Sequence, residues 1–146
     1  MILVSACLAG EPCRYNGLGF ICPSVAELVA AGQAFAVCPE VLGGLSTPRP
    51  PAEIVAGRVV TVAGEDVTGA YQAGAQLALK LARQAGCRTA ILKARSPSCG
   101  CGQIYDGSFS GRLIAADGVF AALLKTAGIV VQTEEDKITE MHETGE

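Results

Sequence analysis

The sequence predicts an α/β fold: a single domain with a mostly parallel sheet of about four strands, helices on both faces and one small hairpin. Three observations lead there. Short, continuous apolar runs recur along the chain, as strands buried on both faces require. Segments with apolar residues at helical spacing separate them, the alternation that builds parallel sheets. The length, 146 residues, suits one domain, for which roughly 100–200 is usual, and neither a repeat nor a linker divides it. The domain is placed at 1–132, with a polar C-terminal tail at 133–146.

Ile2 to Ser5 is the first strand. Pro23 opens a helix carrying Val25, Leu28 and Val29, and Gly32 closes it, matching the preference for Pro at helix starts and Gly past their ends. Ala34 to Cys38 is the second strand, stopped by Pro39, which has no N–H for a ladder. Residues 46–53 contain Pro48, Pro50 and Pro51 and are expected to be an extended loop. Ile54-Val55, Ala56-Gly57 and Arg58 to Val62 read as a hairpin. Ala70, Ala73, Leu77, Ala78, Leu81 and Ala82 form one stripe of a helix from Thr68 to Ala85, with Thr68 as its cap and Gly86 as its stop.

Thr89 to Ala94 is the third strand. A Gly/Ser-rich stretch runs from Arg95 to Gly111, and its part 99–111 is a candidate lid, since long structureless loops in compact domains tend to be functional or disordered. Asp117 caps a helix with Val119, Phe120, Leu123 and Leu124, Gly128 ends it, and Ile129 to Gln132 is the fourth strand. The last dozen residues, His142 among them, are expected to be loose.

Composition narrows the function. Hydrophobic residues make up 50% of the chain and aromatics only 5%, without Trp, so the core must be aliphatic. A net charge of −3 with 11 scattered basic residues excludes a surface built for a nucleic-acid polymer. The first residues lack a basic n-region, and no apolar run reaches the ~18–20 residues of a membrane span. A cytoplasmic location without membrane contact is therefore expected. The oligomeric state is not legible.

Seven cysteines stand out: Cys7, Cys13, Cys22, Cys38, Cys87, Cys99 and Cys101. An odd number in a reducing compartment points to metal or thiol chemistry rather than to disulfides. Cys7 follows the first strand, Cys38 ends the second and Cys99 lies in the loop leaving the third. Parallel strands end on one edge, where such sheets bind ligands, so these three thiols should converge. Cys22 and Cys87 flank helices near the opposite edge and read as small buried residues. Cys13 and Cys101 lie in loops on the same rim, as spare ligands, sulfur relays or, by preference, bystanders.

Three thiolates suit an iron–sulfur cubane in which one iron lacks a protein ligand and serves as a Lewis acid for a soft donor such as sulfur. Zinc is the competitor, although its knuckles usually separate two cysteines by ~2–4 residues, and Cys99-Gly100-Cys101 leaves only one between. On spacing alone three readings stay open. They are a cluster enzyme, a zinc-stabilised binding domain, and a persulfide sulfurtransferase using a low-pKa cysteine such as Cys99. The run Ser96 to Gly102 either lets backbone amides reach cluster sulfurs or is a plain turn. Glu40, two residues past Cys38, is a proton-transfer candidate or a solvated carboxylate. Gly43-Gly44 marks a close backbone approach or a turn. Arg14, Arg49 and Arg95 are candidate contacts for an anionic group, with surface charge as the default.

Four blocks carry a resemblance. They are Ser5-Ala6-Cys7-Leu8-Ala9-Gly10 with Cys13-Arg14-Tyr15-Asn16-Gly17; Cys38-Pro39-Glu40-Val41-Leu42-Gly43-Gly44-Leu45; Thr47-Pro48-Arg49-Pro50-Pro51-Ala52-Glu53; and Leu92-Lys93-Ala94-Arg95-Ser96-Pro97-Ser98-Cys99-Gly100. In this order they resemble the signature of the thiouracil desulfidase family, over residues 1–132. Ser46 stands where many relatives carry Pro, and a second domain fused in some members is not expected here. The resemblance implies a 4Fe-4S cluster on Cys7, Cys38 and Cys99 whose open iron takes the sulfur of the substrate. It implies Glu40 as acid/base and Ser96 as a substrate-orienting or proton-relaying group. The implied reaction is a non-redox desulfuration of a thiolated pyrimidine, as nucleobase or nucleotide, to the oxo base and hydrosulfide.

Overall fold

The computed structural model describes residues 1–136. In chain order the elements are β1 (Ile2–Ser5), a 3-10 turn (Ala6–Ala9), α1 (Pro23–Ala30), β2 (Ala34–Val37), α2 (Pro39–Leu42), β3 (Ala52–Val55), β4 (Arg58–Thr61), α3 (Thr68–Gln84), β5 (Thr89–Leu92), β6 (Ile104–Tyr105), β7 (Leu113–Ile114), α4 (Val119–Thr126) and β8 (Val130–Thr133).

The four predicted apolar runs form one sheet, ordered β2-β1-β5-β8 and parallel throughout. Residues alternate between its faces. Leu3, Ala90 and Leu92 pack with Ala78, Leu79 and Ala82 of α3 and with Phe120 and Leu124 of α4. Ile2, Val4 and Ile91 turn the other way, toward Leu8 and toward Val25, Leu28 and Val29 of α1. Helices therefore cover both faces, as expected.

Some details differ from expectation. The buried stripe of α3 is Tyr71, Gly74, Ala75, Ala78, Leu79 and Ala82, whereas Ala73 and Leu77 face outward. A helix rich in Ala on every side carries a weak periodic signal, and the choice of face is made by what packs against it. Thr68 is the first helical residue rather than the cap. Its amide donates to Asp66 Oδ1 at 2.9 Å, and its Oγ1 accepts from the Val59 amide at 2.8 Å. Asp117 does not cap α4 either, since Gly118 holds that place. The Asp117 carboxylate instead takes the Gly102 amide and Lys125 Nζ. The glycine stops hold: Gly32, Gly86 and Gly128 all have φ between +74° and +85°.

Two hairpins lie outside the main sheet. β3 and β4 pair antiparallel around Ala56 and Gly57, whose φ values of +50° and +79° suit a two-residue hairpin turn. β6 and β7 form the second hairpin, whose first strand lies within the stretch 99–111 expected to be a structureless lid. Its connecting loop is clamped to β3 by the buried Glu53, whose Oε1 accepts the Gly107 and Phe109 amides at 3.0 Å each. The strand at the C-terminal end extends to Thr133, and residues 134–136 remain ordered against the sheet edge, so the structured part outruns 132. His142 lies outside the described residues.

The short α2 is pressed directly onto α3. A Cβ on Gly74 would overlap the Pro39 carbonyl oxygen, and one on Gly43 would overlap that of Ala70. Gly43 therefore marks a close backbone approach, while Gly44 takes a left-handed φ of +93°. We expect Gly74→Ala to lower stability by about 1–3 kcal/mol through overpacking. Gly69→Ala, with nothing near its Cβ position, should raise it by about 0.5–1 kcal/mol. Urea unfolding of the two variants checks both signs.

Candidate active site at the carboxyl edge of the sheet

From β1 the chain crosses to β2 on the face of α1, and from β5 it crosses to β8 on the face of α4. The crevice between β1 and β5 is thus the point where the winding reverses, the usual ligand position in such sheets. Ser5 closes its base: Ser5 Oγ accepts the Lys93 amide at 2.9 Å. Cys7 sits in the turn after β1, Cys38 at the N-cap of α2 and Cys99 in the loop after β5. All three line one cavity of about 540 Å³, together with Glu40, Ser96, Arg14, Arg49, Lys93 and Arg95.

The other cysteines divide differently from expectation. Cys13 enters the same cavity, with its thiol in hydrogen-bonding reach of Cys38 and Cys7. Cys101 turns away and donates to the Val131 carbonyl at 3.7 Å. Cys87 is buried in the core as expected, whereas Cys22 is only half-buried and contacts Ser24 Oγ at 3.5 Å. None of the seven forms a disulfide. Among the described residues, no group of three or more His, Cys, Asp or Glu side chains is gathered as one metal ion would need. A cubane makes a looser demand, because its ligands attach to separate corners.

Three of these sulfurs, Cys99, Cys38 and Cys13, are held as thiols. Burial above all pushes Cys99 up to about 12, against the Ser5 and Ser98 hydroxyls, which lower it. Cys38 is pushed up by its hydrogen bond with Cys13 and then by burial. Cys13 is lowered by the bond to Cys38 but raised more by Cys7 and burial, to about 11. A sulfurtransferase nucleophile needs a depressed pKa; this environment does the reverse.

Glu40 is neither on a strand nor solvated. It lies in the first turn of α2, with its side chain 14% exposed, and Oε1 accepts from Arg49 Nε at 3.0 Å and from Tyr71 Oη at 2.9 Å. Arg49, expected as a surface charge, is 6% exposed and spends its remaining donors on the Cys13 carbonyl, the Ser46 carbonyl and Thr47 Oγ1. One guanidinium thereby ties the Pro-rich loop, the Cys13 loop and the carboxylate together. Tyr71 is buried, and desolvation first, then the Glu40 charge, raises its phenol, so it stays a donor.

Ser96 organises the Cys99 loop. Its Oγ accepts the Ser98 amide at 3.1 Å and the Cys99 amide at 3.0 Å, which occupies both hydroxyl lone pairs and leaves only the proton to give. The Gly100 amide goes to the Ser96 carbonyl at 2.8 Å, and a Cβ on Gly100 would crowd that same oxygen at 2.6 Å. These amides therefore serve the turn, not the sulfurs.

Sequence reasoning missed Lys93, Glu134 and Tyr71. Lys93 Nζ stands 4.4 Å from the Phe20 ring centroid and 3.2 Å from Glu134 Oε2, both ends of that pair being largely buried. Glu134 also accepts the Ala94 amide at 2.8 Å. Its neighbour Glu135 takes Arg95 in a two-point bond at 2.8 and 2.7 Å. Arg14 lies over Phe20 at 5.5 Å and makes no ion pair among the described residues. The signal for Lys93 was its place, one residue past a buried strand on the same edge as the cysteines. Nothing local marked Glu134, the first of three acids in a polar tail.

Arg49→Met should cost roughly 3–5 kcal/mol, because it strands a buried carboxylate, and adding Glu40→Gln should restore part of the loss in a double-mutant unfolding cycle. In metal-free protein burial keeps the Cys99 thiol protonated at pH 7 and away from solvent. Iodoacetamide should therefore label the partly exposed Cys22 well before Cys99, as peptide mass mapping over time would show.

Comparison with known proteins agrees with this geometry. The model of the 2-thiouracil desulfurase family matches residues 2–136. The uncharacterized protein YbbK of Bacillus subtilis (strain 168) is 48% identical over 146 aligned positions, covering 93% of this chain and 97% of that protein. A solved structure described as the 4Fe-4S-dependent thiouracil desulfidase TudS superimposes with a TM-score of 0.89 at 50% identity, covering 95% of this chain and 93% of its own. The match takes in the sheet, both hairpins and every residue of the cavity, and on that extent the chain belongs to the 2-thiouracil desulfurase family.

Proposed function

We propose that this chain removes sulfur from a thiolated pyrimidine, a thiouracil-like base or nucleotide, without net electron transfer, using a 4Fe-4S cluster held by Cys7, Cys38 and Cys99. The observation that carries the reading is the meeting of three thiols, from the ends of three parallel strands, around one cavity that also holds a fixed carboxylate. The donor set fits the cluster: it is all thiol, soft, and set back in a largely buried rim. When bound, the cluster supplies a Lewis-acidic iron without a protein ligand, matched to the soft sulfur of a thiocarbonyl.

The chain's residues do the rest. Tyr15, Phe20, Tyr105 and Phe109 line the cavity, an aromatic wall suited to a flat ring. Arg49 and Tyr71 both address Oε1 of Glu40, so Oε2 is the oxygen that takes the proton of a water adding to the thiocarbonyl carbon. The same carboxyl returns a proton to the departing sulfur. Thiocarbonyl and water become carbonyl and hydrogen sulfide, a balance that needs no oxidant or reductant. Ser96, its lone pairs occupied by two amides, acts as a donor that orients the substrate rather than as a two-way relay. No helix among the described residues is long and apolar enough to cross a membrane, and the cytoplasm is the compartment we assign, where a reducing milieu keeps thiols available.

The test is anaerobic reconstitution with iron and sulfide, followed by visible spectroscopy and a hydrosulfide assay against thiouracils. Cys7→Ala, Cys38→Ala and Cys99→Ala should each lose the cluster, whereas Cys22→Ala and Cys87→Ala keep it. Glu40→Gln should load normally and turn over at least ~100-fold more slowly. Full cluster content in any of the first three would break the ligand assignment, and unchanged turnover in the last would remove Glu40 from the chemistry.

A further inference from the structure

Four cations line the cavity, and they differ in what they have left to give. Arg49 spends its donors on Glu40, on the Cys13 and Ser46 carbonyls and on Thr47. Arg95 gives both terminal nitrogens to Glu135. Arg14 lies half-buried over Phe20 without an ion pair among the described residues. Lys93 is buried, charged and mostly unspent. Its side chain is 12% exposed, and among the described residues Nζ makes one hydrogen bond, to the Ala94 carbonyl at 3.3 Å. An ammonium has three N–H donors.

The counter-ion of Lys93 neutralises it without using those donors. Glu134, 6% exposed, gives Oε1 to the Ala94 amide at 2.8 Å. Oε2 stands 3.2 Å from Nζ, yet the two are not aligned, and this oxygen has no hydrogen-bond partner. The Phe20 ring, its centroid 4.4 Å from Nζ, offers the cation a π face but no acceptor atom. The base of the side chain is fixed, because the Lys93 amide donates to Ser5 Oγ at 2.9 Å. A buried ion pair adds little stability over apolar residues of the same volume, and unmet polar capacity adds a cost. The fold alone does not account for this pair.

A cation with spare donors needs an acceptor. A thiolated uracil offers two, the thiocarbonyl sulfur and the carbonyl oxygen it keeps, since its ring N–H groups are donors. A compact, strongly hydrated ammonium matches the oxygen, whereas the sulfur matches a soft metal. We propose that Lys93 is a substrate-binding residue whose ammonium donates to the remaining carbonyl oxygen of the pyrimidine. Glu134 is its positioning residue, holding the ammonium charged while leaving its donors free. The inference rests on the reading of the substrate as a thiolated pyrimidine. The contact orients the ring, and it draws electron density from the ring as water adds to the thiocarbonyl carbon, so it strengthens toward the transition state.

The probes are 2-thiouracil and pyrimidine-2-thione, the same ring without the carbonyl group. Wild type is compared, after anaerobic reconstitution, with Lys93→Gln, with Arg14→Met and with a double variant carrying Lys93→Met and Glu134→Gln. The double variant removes both charges, so no carboxylate is stranded. Two ratios are read: kcat/KM for the two probes, and their Kd from visible titration in a Glu40→Gln background that slows turnover. Intrinsic differences between the probes cancel when variants are compared. The double variant should lose roughly 10–100-fold in kcat/KM for 2-thiouracil, the usual worth of a hydrogen bond to a charged group. Its kcat/KM for pyrimidine-2-thione should stay close to the wild-type value, and the Kd ratio should move the same way.

A loaded double variant that keeps the wild-type preference overturns the proposal. So does an equal loss on both probes, which marks a role in folding or cluster retention, and so does a preference that collapses in Arg14→Met but not in the Lys93 variants. If the double variant does not fold, Lys93→Gln decides: a reduced preference supports the contact and an unchanged one overturns it. Wild type that releases no hydrosulfide from 2-thiouracil sinks the proposed function and this inference with it. Wild type that turns over with a preference no Lys93 variant moves sinks this inference alone.

Discussion

The site depends on the parallel pairing of β1 with β2 on one side and β5 on the other. Parallel ladders place equivalent strand ends on a common edge, and the register here sets Ser5 beside Val37 and Val4 beside Ile91. Residues at positions 7, 38 and 99, remote along the chain, thereby emerge within one crevice. Because consecutive side chains in a strand face opposite layers, a one-residue slip would exchange Leu3 and Val4 between the two cores. The aliphatic packing on both faces that stabilises the sheet also fixes where its edge falls. The thiols are aligned by the same interactions that hold the fold together.

That dependence explains what was legible in the sequence. Buried parallel strands are short continuous apolar runs, and helices between them end at glycines forced to positive φ, so a parallel sheet could be anticipated and the cysteines placed on one edge. The less legible features are those decided by contact between elements. Tyr71 reads as one more residue on an Ala-rich helix until α2 settles on α3 through Gly43 and Gly74. Arg49 looks like an exposed charge in a proline-rich loop until that loop folds back over Cys13 and Glu40. Glu134 sits in an acidic run with no local pattern, and only its position at the end of β8, next to β5, brings it to Lys93.

The rim is heavily charged yet nearly self-neutral. Arg49 is answered by Glu40, Lys93 by Glu134 and Arg95 by Glu135. The first two pairs are buried and the third is exposed; buried pairs stabilise little beyond what apolar residues of the same volume would supply, since desolvation offsets most of the attraction. Their contribution lies in orientation. A carboxylate held by a guanidinium and a phenol cannot rotate, and a group intended for proton transfer gains from being fixed before substrate arrives. The two acids after β8 perform a similar service for the cations flanking the crevice, which ties the last described residues of the chain to its site.

Chemistry and shape come from different parts of the molecule. Cys7 and Cys38 follow strand ends directly, Glu40 lies in α2 and Cys99 in the loop after β5, all set against the aliphatic core. The aromatic walls come from elsewhere: Tyr15 and Phe20 from the loop after the 3-10 turn, Tyr105 and Phe109 from the β6–β7 hairpin. Such segments tolerate change far better than a buried parallel strand does. The hairpin is nonetheless not a free lid, because Glu53 grips two of its amides from β3 and Gly107 lies against Val55 and the Ile54 carbonyl. Substituting the aromatic side chains would reshape the cavity without displacing Cys7, Cys38 or Cys99, whereas loosening Glu53 would release the wall as a unit. On the proposed reading, residues 14–20 and 105–111 would shape the space for the ring, and the edge of the sheet would handle its sulfur.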